Sequence, residues 1–350
     1  MYFLVKFERT TARSREETLE KVPMNPENKR VLAWIVIAAS FLAFVISTLA
    51  MLKRFEPFYS GYYSFAWWSY ILFIESFLYC RGGESLLFRD PWKFLVLLPL
   101  SAVVWLVFEA LNFRLSDWRY IDVPYHTTLR WSGYAVAYST VLPGIFSTKA
   151  LLKFLGVLKN SKTAPLASAQ RLYKPFIITG ALFLVLPLIW PDYFFPLVWG
   201  AFVFLLEPLN HKAGGPSLLR EWERGSLREA HLLLLAGIVC GFLWELWNFR
   251  AGAKWIYTVP YVGGLKVFEM PLLGFLGFPP FAVECYVMRA GFFLLVSRIG
   301  EKFTHSRALA LYAAVALAMV LFSLLVFAGI DRLTVISFQD LNSTHFGPRP

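Results

Sequence analysis

Apolar runs of membrane-spanning length constrain this chain more than any other feature. In a bilayer, backbone N–H and C=O groups must be satisfied internally, so a run of about 20 apolar residues forms an α-helix. Such runs occupy residues 31–51, 64–80, 93–113, 131–155, 175–190, 193–209, 230–249, 267–297 and 308–330. Of the 350 residues, 57% are hydrophobic and only 16% charged, with a mean hydropathy of +0.54, well outside soluble composition. The expected fold class is all-α integral membrane, with about nine transmembrane helices. Residues 1–23 are too charged for a signal peptide, so the first run reads as an uncleaved anchor, and Met24, before NPENKR, offers an alternative start.

Polar residues within these runs recur. Glu109, Asn112, Phe113 and Arg114 return 136 residues later as Glu245, Asn248, Phe249 and Arg250, followed by Trp118 and Tyr120 against Trp255 and Tyr257. Upstream, IESFLYCRGGESLL from Ile74 lies over LEPLNHKAGGPSLL from Leu206, 132 residues on, matching Glu75 with Glu207 and Gly82-Gly83 with Gly214-Gly215. Trp67 likewise matches Trp199. The change of offset falls in polar loops, where an insertion costs little. The expectation is a duplication: four helices in 31–156, four more in 174–298, and a ninth helix in 308–330. Residues 1–30 precede the repeats and a polar tail, 331–350, follows. An even number of helices per unit keeps the two copies parallel.

Charge sets the orientation. The net charge of +11 would suggest nucleic acid in a soluble protein, but the cations concentrate in alternate loops. With the N-terminus cytoplasmic, 23 Lys and Arg lie inside and 10 outside. The positive-inside bias accounts for this without nucleic acid as a partner. A multi-pass protein of the cell inner or plasma membrane is expected, with the C-terminus outside and both N-F-R loops on the outer face.

Glu75, Glu109, Glu207, Glu245 and Glu284 lie within or near the ends of runs. Each ionised carboxylate would cost several kcal/mol in lipid, so these residues must face the bundle interior. Glu245 with Asn248, and Glu109 with Asn112, are spaced to share a helix face, and Arg250 and Arg114 follow one turn on. PLLGFLGFPP, from Pro271 to Pro280, is too rich in Gly and Pro for one straight helix. A re-entrant or interfacial piece is expected there, then a helix from about Phe281, with a pocket beside the break. The plain alternative is that these polar groups glue helices together, with Trp118, Trp131 and Trp255 as interfacial belt aromatics. Arg289 lies within a run and suits the same packing role. Cys80, Cys240 and Cys285 lack CxxC spacing and the five histidines are scattered, so no metal site is indicated.

The order W-E-L-W-N-F-R-A-G-A-K-W-I-Y from Trp244 to Tyr257, then Pro280-Phe281-Ala282-Val283-Glu284 opening an apolar helix, resembles the repeated domain of integral-membrane lycopene cyclases. The resemblance covers residues 242–289 and, more weakly, 104–151. It implies that Glu245 and Glu284 are active-site acids in an active second copy. This chain departs from the family where adjacent acids are the rule, having only Glu284, and its first copy offers Thr148 instead. The leading expectation is an enzyme acting on an isoprenoid or other lipid-soluble substrate by acid-initiated cyclisation or isomerisation. Glu245, Glu284, Asn248 and Arg250 would form the catalytic set, with Trp244, Trp247, Trp255, Tyr257, Glu109 and Asn112 against the substrate. A carboxylic acid in an apolar site keeps its proton and can deliver it to a double bond, and aromatic faces stabilise the cation that follows. The rivals are a proton-coupled secondary transporter, which would need both copies of the Glu-x-x-Asn pair, and a non-catalytic scaffold. No nucleotide-binding motif is visible, and cofactor use and oligomeric state stay open.

Overall fold

The computed structural model describes residues 25–261 and 264–336. Its helices are α1 (Pro26–Leu52), α2 (Tyr62–Cys80), α3 (Leu86–Arg89), α4 (Pro91–Leu115), α5 (Thr127–Tyr138), α6 (Val141–Phe154), α7 (Gln170–Ile189), α8 (Pro191–Phe194), α9 (Ala201–Lys212), α10 (Leu218–Glu223), α11 (Arg228–Phe249), α12 (Phe278–Lys302) and α13 (His305–Leu333). Two 3₁₀ segments, Phe195–Gly200 and Leu272–Gly277, lead into α9 and α12. Among the described residues, eight stretches are long and apolar enough to cross a membrane, so the chain is an all-α polytopic membrane protein. The expected run at 64–80 is not among them. As α2 it has spanning length, but its 19 residues include four Tyr, three Ser and Glu75, and most of it is buried.

Local chemistry explains the helix ends. Asn25 caps α1, accepting from the Glu27 N–H at 3.2 Å, and Asp90 caps α4 at Lys93 N. Each cap is followed by a proline at the first helical position, where no N–H is needed. The duplicated Gly-Gly closes α2 and α9 alike. Gly82 and Gly214 have φ of +77° and +81°, and the following N–H bonds back to Leu78 O or Asn210 O.

The order of elements in residues 26–154 recurs only in part in residues 170–302, where α8, two 3₁₀ segments and two further short strands intervene and, among the described residues, no α-helix takes the place of α5. Two four-residue strands occupy equivalent places: β1 (Trp118–Ile121) after α4 and β2 (Lys254–Tyr257) after α11. They pair antiparallel across the two halves, with Trp118 opposite Tyr257 and Tyr120 opposite Trp255. A second small hairpin joins β3 (Lys266–Val267) to β4 (Met270–Pro271). No strand was expected from the sequence, because W-x-Y reads as well as belt aromatics in a loop.

Several boundaries differ from expectation. The 131–155 run is two helices, broken between Tyr138 and Val141, and Ser101 of α4 stitches the break by donating to Tyr138 O at 2.7 Å and accepting from Leu142 N at 2.9 Å. The 193–209 run is kinked at Trp199, whose backbone is non-helical. The Pro271–Pro280 break is the 3₁₀ turn before α12, which begins at Phe278 rather than Phe281. Helix α13 continues to Leu333 and so absorbs Asp331, which the sequence had placed in the tail. The N-terminal stretch 1–24 and the tail beyond residue 336 lie outside the described residues.

Helices α11 and α12 approach so closely that only glycine fits. A Cβ at Gly237 would lie 2.5 Å from the Phe278 carbonyl oxygen and 2.8 Å from Pro279 Cα, and backbone cannot swing aside. Gly237→Ala should therefore destabilise the protein by about 2 kcal/mol through overpacking. Detergent melting checks this, and an unchanged midpoint would disprove the close approach.

Candidate functional site: an aromatic cavity between the two units

The repeated asparagines hold the strands. Asn112 on α4 donates from Nδ2 to Trp118 O at 2.9 Å and accepts at Oδ1 from Asp117 N at 2.8 Å and Trp118 N at 3.3 Å. Asn248 on α11 does the same to Trp255, donating to its O at 2.9 Å and accepting from its N at 3.0 Å. Both amides are buried and committed to backbone. They position the tryptophans, and neither borders the cavity described below. This differs from the roles expected of them, catalysis for Asn248 and substrate contact for Asn112.

One turn earlier on each helix stands a fully buried glutamate. Glu245 Oε1 accepts from the Tyr257 hydroxyl at 2.7 Å, which itself accepts from Trp255 Nε1 at 2.9 Å. Glu109 Oε1 accepts three donors: Trp105 Nε1 at 2.7 Å, Trp118 Nε1 at 3.1 Å and Tyr120 OH at 2.5 Å. Tyr138 OH donates to Tyr120 OH at 3.0 Å, extending this chain. Burial, and then the adjacent carboxyl group, push the Tyr120 and Tyr257 hydroxyls well above their ordinary range, so both keep their protons and act as donors. The second oxygen of each glutamate has no hydrogen-bond partner among the described residues.

These aromatic side chains wall a cavity of about 1330 Å³. The first unit contributes Tyr63, Trp105, Trp118, Tyr120, Tyr134 and Tyr138, and the second contributes Trp199, Trp244, Trp255, Tyr257, Phe278 and Phe281. The rings brace one another, with the Trp105 and Trp244 centroids 5.0 Å apart and Tyr63 edge-on to Trp255 at 5.0 Å. The β1–β2 pair lies in this wall, so each unit supplies half of it. Glu109 and Glu245 stand behind the rings and reach the cavity through Tyr120 and Tyr257. The chemistry available is a proton donor backed by a carboxyl group, facing a space ringed by π-faces.

The other expected site residues lie elsewhere. Glu284 is fully buried, does not border the cavity, and accepts from Phe202 N at 2.9 Å. That N–H is in the first turn of α9, restarted by the Trp199 kink, so Glu284 satisfies an orphan helix donor from outside the helix. Thr148, its counterpart, instead bonds Tyr70 OH at 2.8 Å, and Tyr70 precedes Phe202 by the repeat offset of 132. Arg250 is exposed and stacks over Phe249 at 5.6 Å. Trp247 is buried against Trp67 at 4.8 Å, outside the cavity. Glu75 and Glu207 accept from Ser85 and Ser217 and from Leu87 N and Leu219 N, which fixes α3 and α10. Arg289 stacks between Phe146 and Phe293 at 5.1 and 5.3 Å.

Residues with no sequence signal complete the wall. Arg130 and Tyr134 border the cavity, and Arg130 donates to both carboxylate oxygens of Asp331 on α13, at 2.7 and 2.6 Å. Trp131 Nε1 and Tyr134 OH donate to the same carboxylate, at 2.8 and 3.2 Å. Beyond α13, Tyr120 N bonds Thr334 O at 2.9 Å. The ninth helix is therefore a brace for the cavity wall rather than an appendage. Trp118, 4% exposed, lines the cavity, and Trp131 is tied to Asp331, so both expected belt aromatics also make contacts within the protein. No family model, curated protein or solved structure matches the chain.

Proposed function

We propose that this protein is a membrane enzyme that cyclises or isomerises an isoprenoid or similar unsaturated, lipid-soluble substrate by protonating a double bond. The observation that carries the reading is the cavity, whose aromatic wall holds two tyrosine hydroxyls each bonded to a buried glutamate. Its volume of about 1330 Å³ exceeds the 300–1,000 Å³ of ordinary small-molecule pockets and suits a long chain. The buried carboxylic acid supplies the proton, relayed to the alkene through the tyrosine hydroxyl as the Tyr–Glu hydrogen bond reverses its direction. The carbocation rearranges among the ring faces, and loss of a different proton to the same pair restores the site. Isomerisation or cyclisation of this kind consumes no co-reactant. Glu245–Tyr257 and Glu109–Tyr120 are the acid pairs in this scheme, while Glu284 acts as a helix cap. The resemblance of residues 242–289 to lycopene cyclases agrees in reaction class.

The test compares lipids from cells with and without the protein by mass spectrometry. An altered isoprenoid is expected, and identical profiles would refute the reading. The rival, a proton-coupled carrier, is favoured by the retention of a Glu–Tyr pair in both copies. We further propose that the two units are parallel duplicates related by an axis along the membrane normal. The reciprocal pairing of Trp118 with Tyr257 and Tyr120 with Trp255 supports this. With the N-terminus cytoplasmic, the strand-bearing end faces outward. Reporters fused after Ser161 and at Pro350 should then report inside and outside, and finding both on one side would overturn the orientation.

A further inference from the structure

Several residues walling the cavity on α1, α2 and α5 also face outward. Leu129 and Val136 of α5 border it and are 61% and 45% exposed. Ala39 and Ala43 of α1 border it and are exposed as well. Helix α2 forms the back of this side of the cavity, packed along α1 and tied to α5 by Trp68 Nε1 donating to Val136 O at 3.3 Å. The residues of α1 and α2 that border the cavity include no charged side chain. On α2 they run from Tyr63 to Leu72, about 15 Å below the helix start at 1.5 Å per residue. That is half of a hydrocarbon core about 30 Å thick.

Gly133 sits in the middle of α5, where glycine weakens a helix relative to alanine. It borders the cavity, and a Cβ built on it meets no heavy atom within 4 Å, so no packing contact requires a glycine there. We infer that the crevice between α1 and α5 is a lateral portal, through which a linear, uncharged lipid-soluble chain passes from the bilayer into the aromatic cavity, with Gly133 on its rim where a large side chain would block it. This rests on the reading that the cavity takes a lipid-soluble ligand.

The experiment uses the full chain in phosphatidylcholine nanodiscs with a C20 polyprenyl hydrocarbon bearing a diazirine at one end. After photolysis, adducts are mapped by mass spectrometry. Adducts on cavity residues such as Trp68 and Tyr134 are expected in the parent protein. They should fall at least tenfold in Gly133→Trp and stay within twofold in Gly133→Ala. Should Gly133→Trp fail to fold, judged by detergent melting, Val136→Trp at the same crevice reads the same result. Undiminished cavity labelling in the tryptophan variant, or no cavity labelling in the parent, overturns the portal. Labelling as expected with unchanged cellular lipids would sink the proposed enzyme and leave the portal standing. Altered lipids with no effect of Gly133→Trp would do the reverse.

Discussion

Asp331→Ala is expected to cost about 3 kcal/mol of stability, because it strands a buried guanidinium. Arg130 is 6% exposed and Asp331 17%, and the pair is bidentate, so the alanine removes two charge-assisted hydrogen bonds at once. The alanine also removes the acceptor of Trp131 Nε1 and Tyr134 OH. The contacts of Arg130 with Pro124 O and Tyr125 O would remain, holding the cation in place without its counter-ion. Replacing the pair together, as Arg130→Met with Asp331→Leu, should recover part of the loss, since no charge is left without its counter-ion although Trp131 Nε1 and Tyr134 OH still lose their acceptor. Thermal melting in detergent measures both. A loss below about 0.5 kcal/mol in Asp331→Ala would mean that α13 does not brace the wall.

Glu245→Gln should lower isoprenoid conversion at least 100-fold, the usual scale for a lost general acid. It keeps an oxygen to accept from Tyr257 OH, so the melting temperature should hardly move. Tyr257→Phe should show a similar loss, because Tyr257 borders the cavity and its hydroxyl is bonded to Glu245. Glu109→Gln should divide its effect between folding and activity. Glu109 Oε1 anchors two indoles and a phenol, whereas Glu245 Oε1 takes one direct hydroxyl donor. Conversion in cells, scored by mass spectrometry against detergent melting, separates the two. Equal losses in Glu109→Gln and Glu245→Gln without destabilisation would favour the symmetric carrier. Glu284→Gln retains an acceptor for Phe202 N and should be mild, while a loss matching that of Glu245→Gln would restore Glu284 to the catalytic set.

The sequence by itself marked all eight helical stretches that are long and apolar enough to cross a membrane, and one further run, 64–80, that is not among them, because the bilayer imposes length and composition on each segment independently of its neighbours. It also showed the recurrence of Glu, Asn, Trp and Tyr, and the interruption before α12, since proline and glycine act on their own stretch of backbone. The tertiary structure alone decided how those residues are used. Helices apolar on all sides carry no mark of which face meets which neighbour, so nothing local tied Arg130 to Asp331 across 201 residues or Glu284 to Phe202 across 82. The same ambiguity hid the pairing of β1 with β2, which brings two distant loops together in one wall of a cavity. A carboxyl group in an apolar run must find donors. Whether those donors are a tyrosine facing a cavity, as for Glu245, or the free end of another helix, as for Glu284, depends on what the fold brings within about 3 Å.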